Sequence, residues 1–168
     1  SHMAGDTNAE LPVWGYEVEN FINLGTSEAP EWTEFDNLLS WDQSTDTNSY
    51  EPSYINRKNS PKFTLSKDFN VEYEVDLYKN NKLSTYLVEH EDEEDIPVEV
   101  VRVYNWLGED GKRTAKKAAF LLTPTPVDNG TAGEPGKLKG SLNMKDGSWT
   151  RGTWNGKTPA FTAAAKGL

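Results

Sequence analysis

Between residues 63 and 77, apolar side chains stand at Phe63, Leu65, Phe69, Val71, Tyr73, Val75 and Leu77. The positions between them are polar: Thr64, Ser66, Asp68, Asn70, Glu72, Glu74 and Asp76. A period of two over this length predicts strand, with one buried face and one wet face. Lys67 interrupts the alternation, so Lys67-Asp68 is expected to form a turn or bulge between two strands. Pro97 to Leu107 is different: Val98, Val100, Val101 and Val103 make both faces apolar, the mark of a central strand. Asp110-Gly111 is a hairpin signal, and Arg113 to Thr123 returns through Ala118, Phe120 and Leu122. One helix stands out. Asn80 or Asn81 caps it, it runs to about Glu91, and Leu83, Tyr86, Leu87 and His90 share a face.

The remaining pattern is weaker but readable. Val18, Phe21, Ile22 and Leu24 support a first strand within Val13 to Leu24, closed by Gly25. Trp32 to Trp41 is expected as a second strand with a bend at Asp36-Asn37. Lys137 to Met144 and Ser148 to Trp154 are expected as a last hairpin around Asp146-Gly147, followed by a tight turn at Asn155-Gly156. Residues 123–135 are rich in Pro, Gly and Thr and read as loop. Residues 42–61 are dominated by Asp, Ser, Thr and Asn, too poor in apolar groups to offset their own ordering entropy, and read as a long mobile loop. The sum is a mainly β (α+β) protein of about eight strands: two packed antiparallel sheets, sandwich or barrel-like, with one flanking α-helix. Residues 13–156 form one domain, and residues 1–12 and 157–168 are expected to be mobile arms. Ser1-His2 reads as a tag scar before Met3.

Charge adds a direction. The net charge is −10, but residues 1–100 hold 22 acids and 6 bases, whereas residues 101–168 hold 5 acids and 11 bases. Such a subunit can present its acidic part to the basic part of a neighbour. No apolar run approaches the ~20 residues of a membrane-spanning helix. Catalytic chemistry finds little support. There is no cysteine, and apart from His2 the only histidine is His90, so a nucleophile–histidine triad and a Cys/His zinc site lack their residues. Glu72, Glu74 and Asp76 share one strand face and read as a solvated or interface-facing side of the sheet rather than a glycosidase's carboxylate pair. Asp42, Asp46 and Asn48 lack the calcium-loop spacing and its glycine. No glycine-rich phosphate loop occurs, and no cofactor is implied. Arg113, Lys116 and Lys117 are too few for sequence-specific nucleic-acid binding and suit an acidic neighbour. Six tryptophans leave one alternative, a carbohydrate-binding module of the baseplate or fibre type.

The order of motifs resembles a known family. Val18 to Gly25 is followed by Ala29-Pro30-Glu31-Trp32, then by Tyr54-Ile55-Asn56-Arg57-Lys58-Asn59 and by a strand ending Val75-Asp76-Leu77-Tyr78 before the helix. Gly133-Glu134-Pro135-Gly136-Lys137-Leu138 and Asp146-Gly147-Ser148-Trp149-Thr150-Arg151-Gly152-Thr153 close the series. From about Tyr16 to Trp154 the chain resembles the major tail proteins, or tail tube proteins, of siphophages. The resemblance implies a non-enzymatic virion protein, made in the host cytoplasm, whose hexameric rings stack into a DNA-conducting tube. Its partners would be itself, a tape-measure protein and tail terminator or initiator proteins, with DNA passing unread and no membrane contact. On that footing Asp42, Asp46, Tyr50, Tyr54, Arg57 and Lys58 are expected in an inter-ring loop. Glu72, Glu74 and Asp76, or Glu89, Glu91, Asp92, Glu93, Glu94 and Asp95, are expected at an acidic lumen that repels phosphate. Arg113, Lys116 and Lys117 are the expected basic interface.

Overall fold

The structure, a computed structural model, describes residues 10–50, 63–126 and 132–164. After a single 3₁₀ turn at Gly15–Glu17 come β1 (Val18–Asn23), β2 (Trp32–Glu34), β3 (Leu38–Tyr50), β4 (Phe63–Asp76) and α1 (Lys82–Glu89). Then follow β5 (Ile96–Glu109), β6 (Lys112–Pro126), β7 (Lys137–Met144), β8 (Thr150–Asn155) and β9 (Ala160–Ala163). All pairings are antiparallel, in the order β2-β1-β5-β6-β7-β4-β3, with β8 joined to β6 and β9 to β8. Among the described residues the nine strands therefore make one hydrogen-bonded sheet, not the two separate sheets expected.

The reason lies in β6. Its 15 residues exceed what one neighbour covers. Arg113–Lys117 pair with β8, while Phe120–Pro126 pair with β7 on the same side of the strand. The sheet forks there, and β7 and β8 are not the hairpin their sequences suggest. The chain crosses the fork at residues 145–149, where the Lys145 amide donates to the Ala119 carbonyl at 2.9 Å. Trp149 fills the junction, its ring 5.5 Å from both Phe69 and Phe120.

Alternation along the strands separates two cores. One face carries Ile22, Val98, Val100, Phe120, Leu122, Leu138, Leu142, Val71 and Val75, all buried. Helix α1 closes this face with Leu83 and Leu87. A helix of eight residues does not persist alone in water; burying each leucine contributes ~1.5–3 kcal/mol. Asn81 is the cap, its side chain accepting from the Ser84 amide at 2.8 Å. Phe35, just after β2, lies edge-on to Trp41 (5.3 Å) and Tyr73 (4.8 Å), so side chains from the two ends of the strand order meet. The opposite face carries a smaller core of Val101, Val103, Ala115 and Trp154, where Phe21 stacks on Trp154 at 4.6 Å.

Three further expectations change. The polar stretch from Asp42 does not begin as loop: it continues β3 to Tyr50, paired residue by residue with β4. Backbone pairing with a neighbour supplies the order that apolar side chains do not. Lys67-Asp68 is not a break either, since Lys67 pairs with Thr47 and Asp68 with Asp46; the register shifts fall between Leu38 and Ser40 and between Asn48 and Ser49. At the C-terminal side, Ala160–Ala163 is strand β9 rather than arm, held by β8 with Phe161 opposite Trp154.

Candidate assembly surfaces

Of the residues expected in the inter-ring loop, Asp42 is exposed on β3 opposite Glu72, and Asp46 and Tyr50 are strand residues paired with Asp68 and Phe63. Tyr54, Arg57 and Lys58 lie outside the described residues. Strand β7 accompanies β4 only as far as the Asn70–Asn143 pair. Beyond it, β3 and β4 continue together as a two-stranded ribbon to the Tyr50–Phe63 pair.

Glu72, Glu74 and Asp76 do share the face of β4 turned away from the larger core, but they are not alone there. On β7 they meet Ser141, Lys139 and Lys137 in register. Lys137 Nζ donates to Asp76 Oδ1 at 2.9 Å, and this hydrogen bond holds the lysine above its ordinary pKa. A hollow of about 420 Å³ lies over this surface, lined by Ser40, Asp42, Glu72, Glu74 and Lys139 among others. The surface is charge-mixed rather than acidic.

The second acidic set is different. Glu89 ends α1, and Glu91–Asp95 form the turn into β5, with Asp92, Glu93, Glu94 and Asp95 exposed. The turn is pinned at both ends: His90 Nδ1 contacts Glu93 Oε2, and the Asp95 amide donates to Thr123 Oγ1 at 2.9 Å. Asp95 adopts φ 52°, a left-handed conformation that aspartate tolerates better than most residues. Among the described residues no lysine or arginine pairs with this turn.

Arg113, Lys116 and Lys117 do not form one patch. Lys117 and Arg113 project from the Trp154 side of β6: Lys117 pairs with Glu99 at 3.3 Å and Arg113 donates to the Gly108 carbonyl at 2.7 Å. Lys116 projects from the other side, where the register places Arg102 of β5 and Arg151 of β8 directly beside it. This row of Arg102, Lys116 and Arg151 is absent from the sequence pattern. Lys116 lies 4.3 Å over the Trp149 ring; burial lowers its pKa, Tyr104 opposes this through its charge and a hydrogen bond, and Arg151 and Arg102 add smaller lowering effects. Arg102 donates to Gln43 Oε1 at 2.9 Å and to Asn20 Oδ1 at 3.4 Å, both neutral acceptors.

One carboxyl pair outside these surfaces is electrostatically unusual. Glu34 of β2 has its pKa pushed up to about 7, first by a hydrogen bond with Glu19, then by burial and by the charges of Glu19 and Asp36. Two carboxyls in such contact share a proton. A raised folded-state pKa gives stability that is complete below the ordinary value of 4.5 and lost as pH rises through about 7. We therefore expect Glu34→Gln to raise the thermal midpoint at pH 8 and not at pH 4. Because Glu34 is exposed, solvent screening holds the gain to about 1 kcal/mol or less. An equal shift at both pH values would refute the shared proton.

No protein-family model matches the sequence, and no curated protein matches it. Solved structures do match in fold. The SPP1 tail tube, determined by solid-state NMR and cryo-EM, is similar with a TM-score of 0.63 at 11% identity, over 88% of this chain and 83% of that one. The tail of the empty gene transfer agent particle, refined with C6 symmetry, gives 0.55 at 11% identity over 90% of this chain and 100% of that one. The native gene transfer agent virion gives 0.53, with the same identity and coverage. The likeness first read from the order of motifs is thus matched in three dimensions, and the chain has the fold of the SPP1 tail tube and the gene transfer agent tail.

Proposed function

We propose that this protein is a structural subunit that polymerises as stacked, hexameric rings into the tail tube of a phage or phage-like particle, and that it carries out no catalysis. The observation that carries this reading is the fold-level match to the SPP1 tail tube across most of both chains. The C6 symmetry of the gene transfer agent tail supports six subunits per ring. A barrel-like wrapping of the sheet within each subunit is supported by Phe35, which joins Trp41 and Tyr73 across the ends of the strand order. The β3–β4 ribbon, unaccompanied past Asn70, is the part of the subunit best placed to reach an adjacent ring. In the particle the tube surrounds a tape-measure protein, ends on terminator and initiator proteins, and passes DNA without reading its sequence.

Electron microscopy of concentrated, purified protein tests the proposal directly. Rings or tubes of uniform diameter are expected, assembled without nucleic acid. A chain that stays monomeric at millimolar concentration and in the presence of the other tail proteins would overturn it. So would glycan binding that disappears on replacing the half-exposed Trp106, which would favour a carbohydrate module.

A further inference from the structure

We propose that the row Arg102–Lys116–Arg151 is a docking site for the acidic turn Glu91–Asp95 of a second copy of this chain. The inference deepens the reading of the protein as a self-assembling subunit and rests on it.

Three cations side by side on adjacent strands repel one another, and like charges directly opposite in a sheet are destabilising. Here the register enforces that arrangement: Lys116 is the partner of Arg102 on one side and of Arg151 on the other. Among the described residues, no carboxylate pairs with Lys116 or Arg151, and Arg102 has only amide oxygens. The row is also preorganised. Lys116 is held over Trp149, and Arg102 packs 5.8 Å from the Tyr104 ring centroid, so little side-chain freedom remains to be lost when an anion arrives. A set of fixed, partly desolvated cations without counter-charges is the electrostatic shape of an acidic partner.

The same chain carries that partner. Glu91–Asp95 offers five carboxylates in a turn fixed at both ends, with His90 as its only basic contact among the described residues. It cannot serve its own row. Six residue steps along β5 separate Ile96, where the turn ends, from Arg102, a span of ~20 Å along the strand. Neighbouring strands put the cations ~5 Å apart, so a compact turn of five carboxylates can engage more than one of them. A contact made by two different patches is heterologous, the kind that closes rings or propagates stacks.

The test uses two variants of the full chain, Lys116→Glu/Arg151→Glu and Asp92→Lys/Glu94→Lys, with circular dichroism to verify folding. Each alone is expected to raise the critical concentration for assembly at least ~10-fold, because like charges then face each other. All four substitutions in one chain are expected to restore assembly, and so is mixing the two double variants, because each patch then meets opposite charge on the other variant and the two alternate. Folded variants that assemble as the parent does, or a four-fold variant that fails to recover, would overturn the docking site while leaving the tube reading intact. Should the parent chain stay monomeric, a peptide spanning residues 88–96 reads the contact directly. Salt-sensitive binding lost in Arg151→Glu supports the site, and no binding overturns it. Duplex DNA bound by the parent and lost in Arg151→Glu, with assembly unchanged, would show phosphate rather than a second copy as the occupant.

Discussion

Gly140→Ala is expected to cost about 3 kcal/mol of folding stability. Gly140 sits on β7 between Tyr73 of β4 and Pro124 of β6. A Cβ there would stand 2.3 Å from both Tyr73 Oη and the Thr123 carbonyl oxygen, and 2.5 Å from Tyr73 Cζ. Neither neighbour can yield cheaply. The Thr123 carbonyl belongs to the β6–β7 ladder, and the Tyr73 ring is buried against Phe35. The phenol lies across the glycine because no side chain occupies that space; its Oη has no hydrogen-bond partner among the described residues, and burial pushes its pKa up. Gly136→Ala is the matched control, since its nearest neighbour is a Leu77 methyl carbon at 3.8 Å, and it should change stability by no more than ~0.5 kcal/mol. Denaturant unfolding of the two variants checks this. A loss below 1 kcal/mol at Gly140 would mean that the β4–β7 spacing relaxes freely.

Replacing residues 46–68 with Asn-Gly should leave a folded subunit that forms no tubes. The cut falls at the Thr45–Phe69 pair, so the two-residue insert closes the shortened hairpin in the type of turn its strands favour. Every core residue of β4 from Phe69 onward is kept, as is Trp41 of β3. The thermal midpoint is therefore expected to remain within a few degrees, by the ~4–8 °C per kcal/mol of small domains. What is lost is the ribbon past Asn70, which has no third strand beside it. Two-stranded ribbons are at best marginal in water by themselves, so on the proposed reading this one is supported by an adjacent copy. Micrographs of the shortened chain provide the readout. Tubes of normal diameter and length would remove the ribbon from assembly.

How much of this was readable in the sequence follows from where burial falls. Val71, Tyr73 and Val75 alternate with acids because one side of β4 faces the core there, and the strand was evident. The hairpin of β5 and β6 announced itself through Asp110-Gly111, and α1 through Asn81, Leu83 and Leu87. Residues 42–50 gave no such signal: Asp42, Ser44 and Thr45 are exposed, so the strand has no apolar period to display. The sequence suggests a β7–β8 hairpin because two successive strands parted by a turn normally pair with each other; here the length of β6 gives each a separate place. The basic row was hidden for another reason. Glu109–Lys112 and Gly108–Arg113 fit a simple hairpin, but Tyr104 pairs with Thr114, so residues 105–107 are extra on β5. That shift exposes Trp106 and Leu107 and moves Arg102 beside Lys116 instead of Ala119. An irregularity of three residues changes every cross-strand neighbour beyond it, and nothing in composition or spacing marks its position.

The fork at β6 changes a count that matters for any polymer built from sheets. An unbranched open sheet has two outer margins, each a row of amides and carbonyls lacking a strand beyond it. Branching adds one: β2, β3 and β9 each pair with a single strand. A copy flanked left and right by its neighbours would still keep one margin unspent.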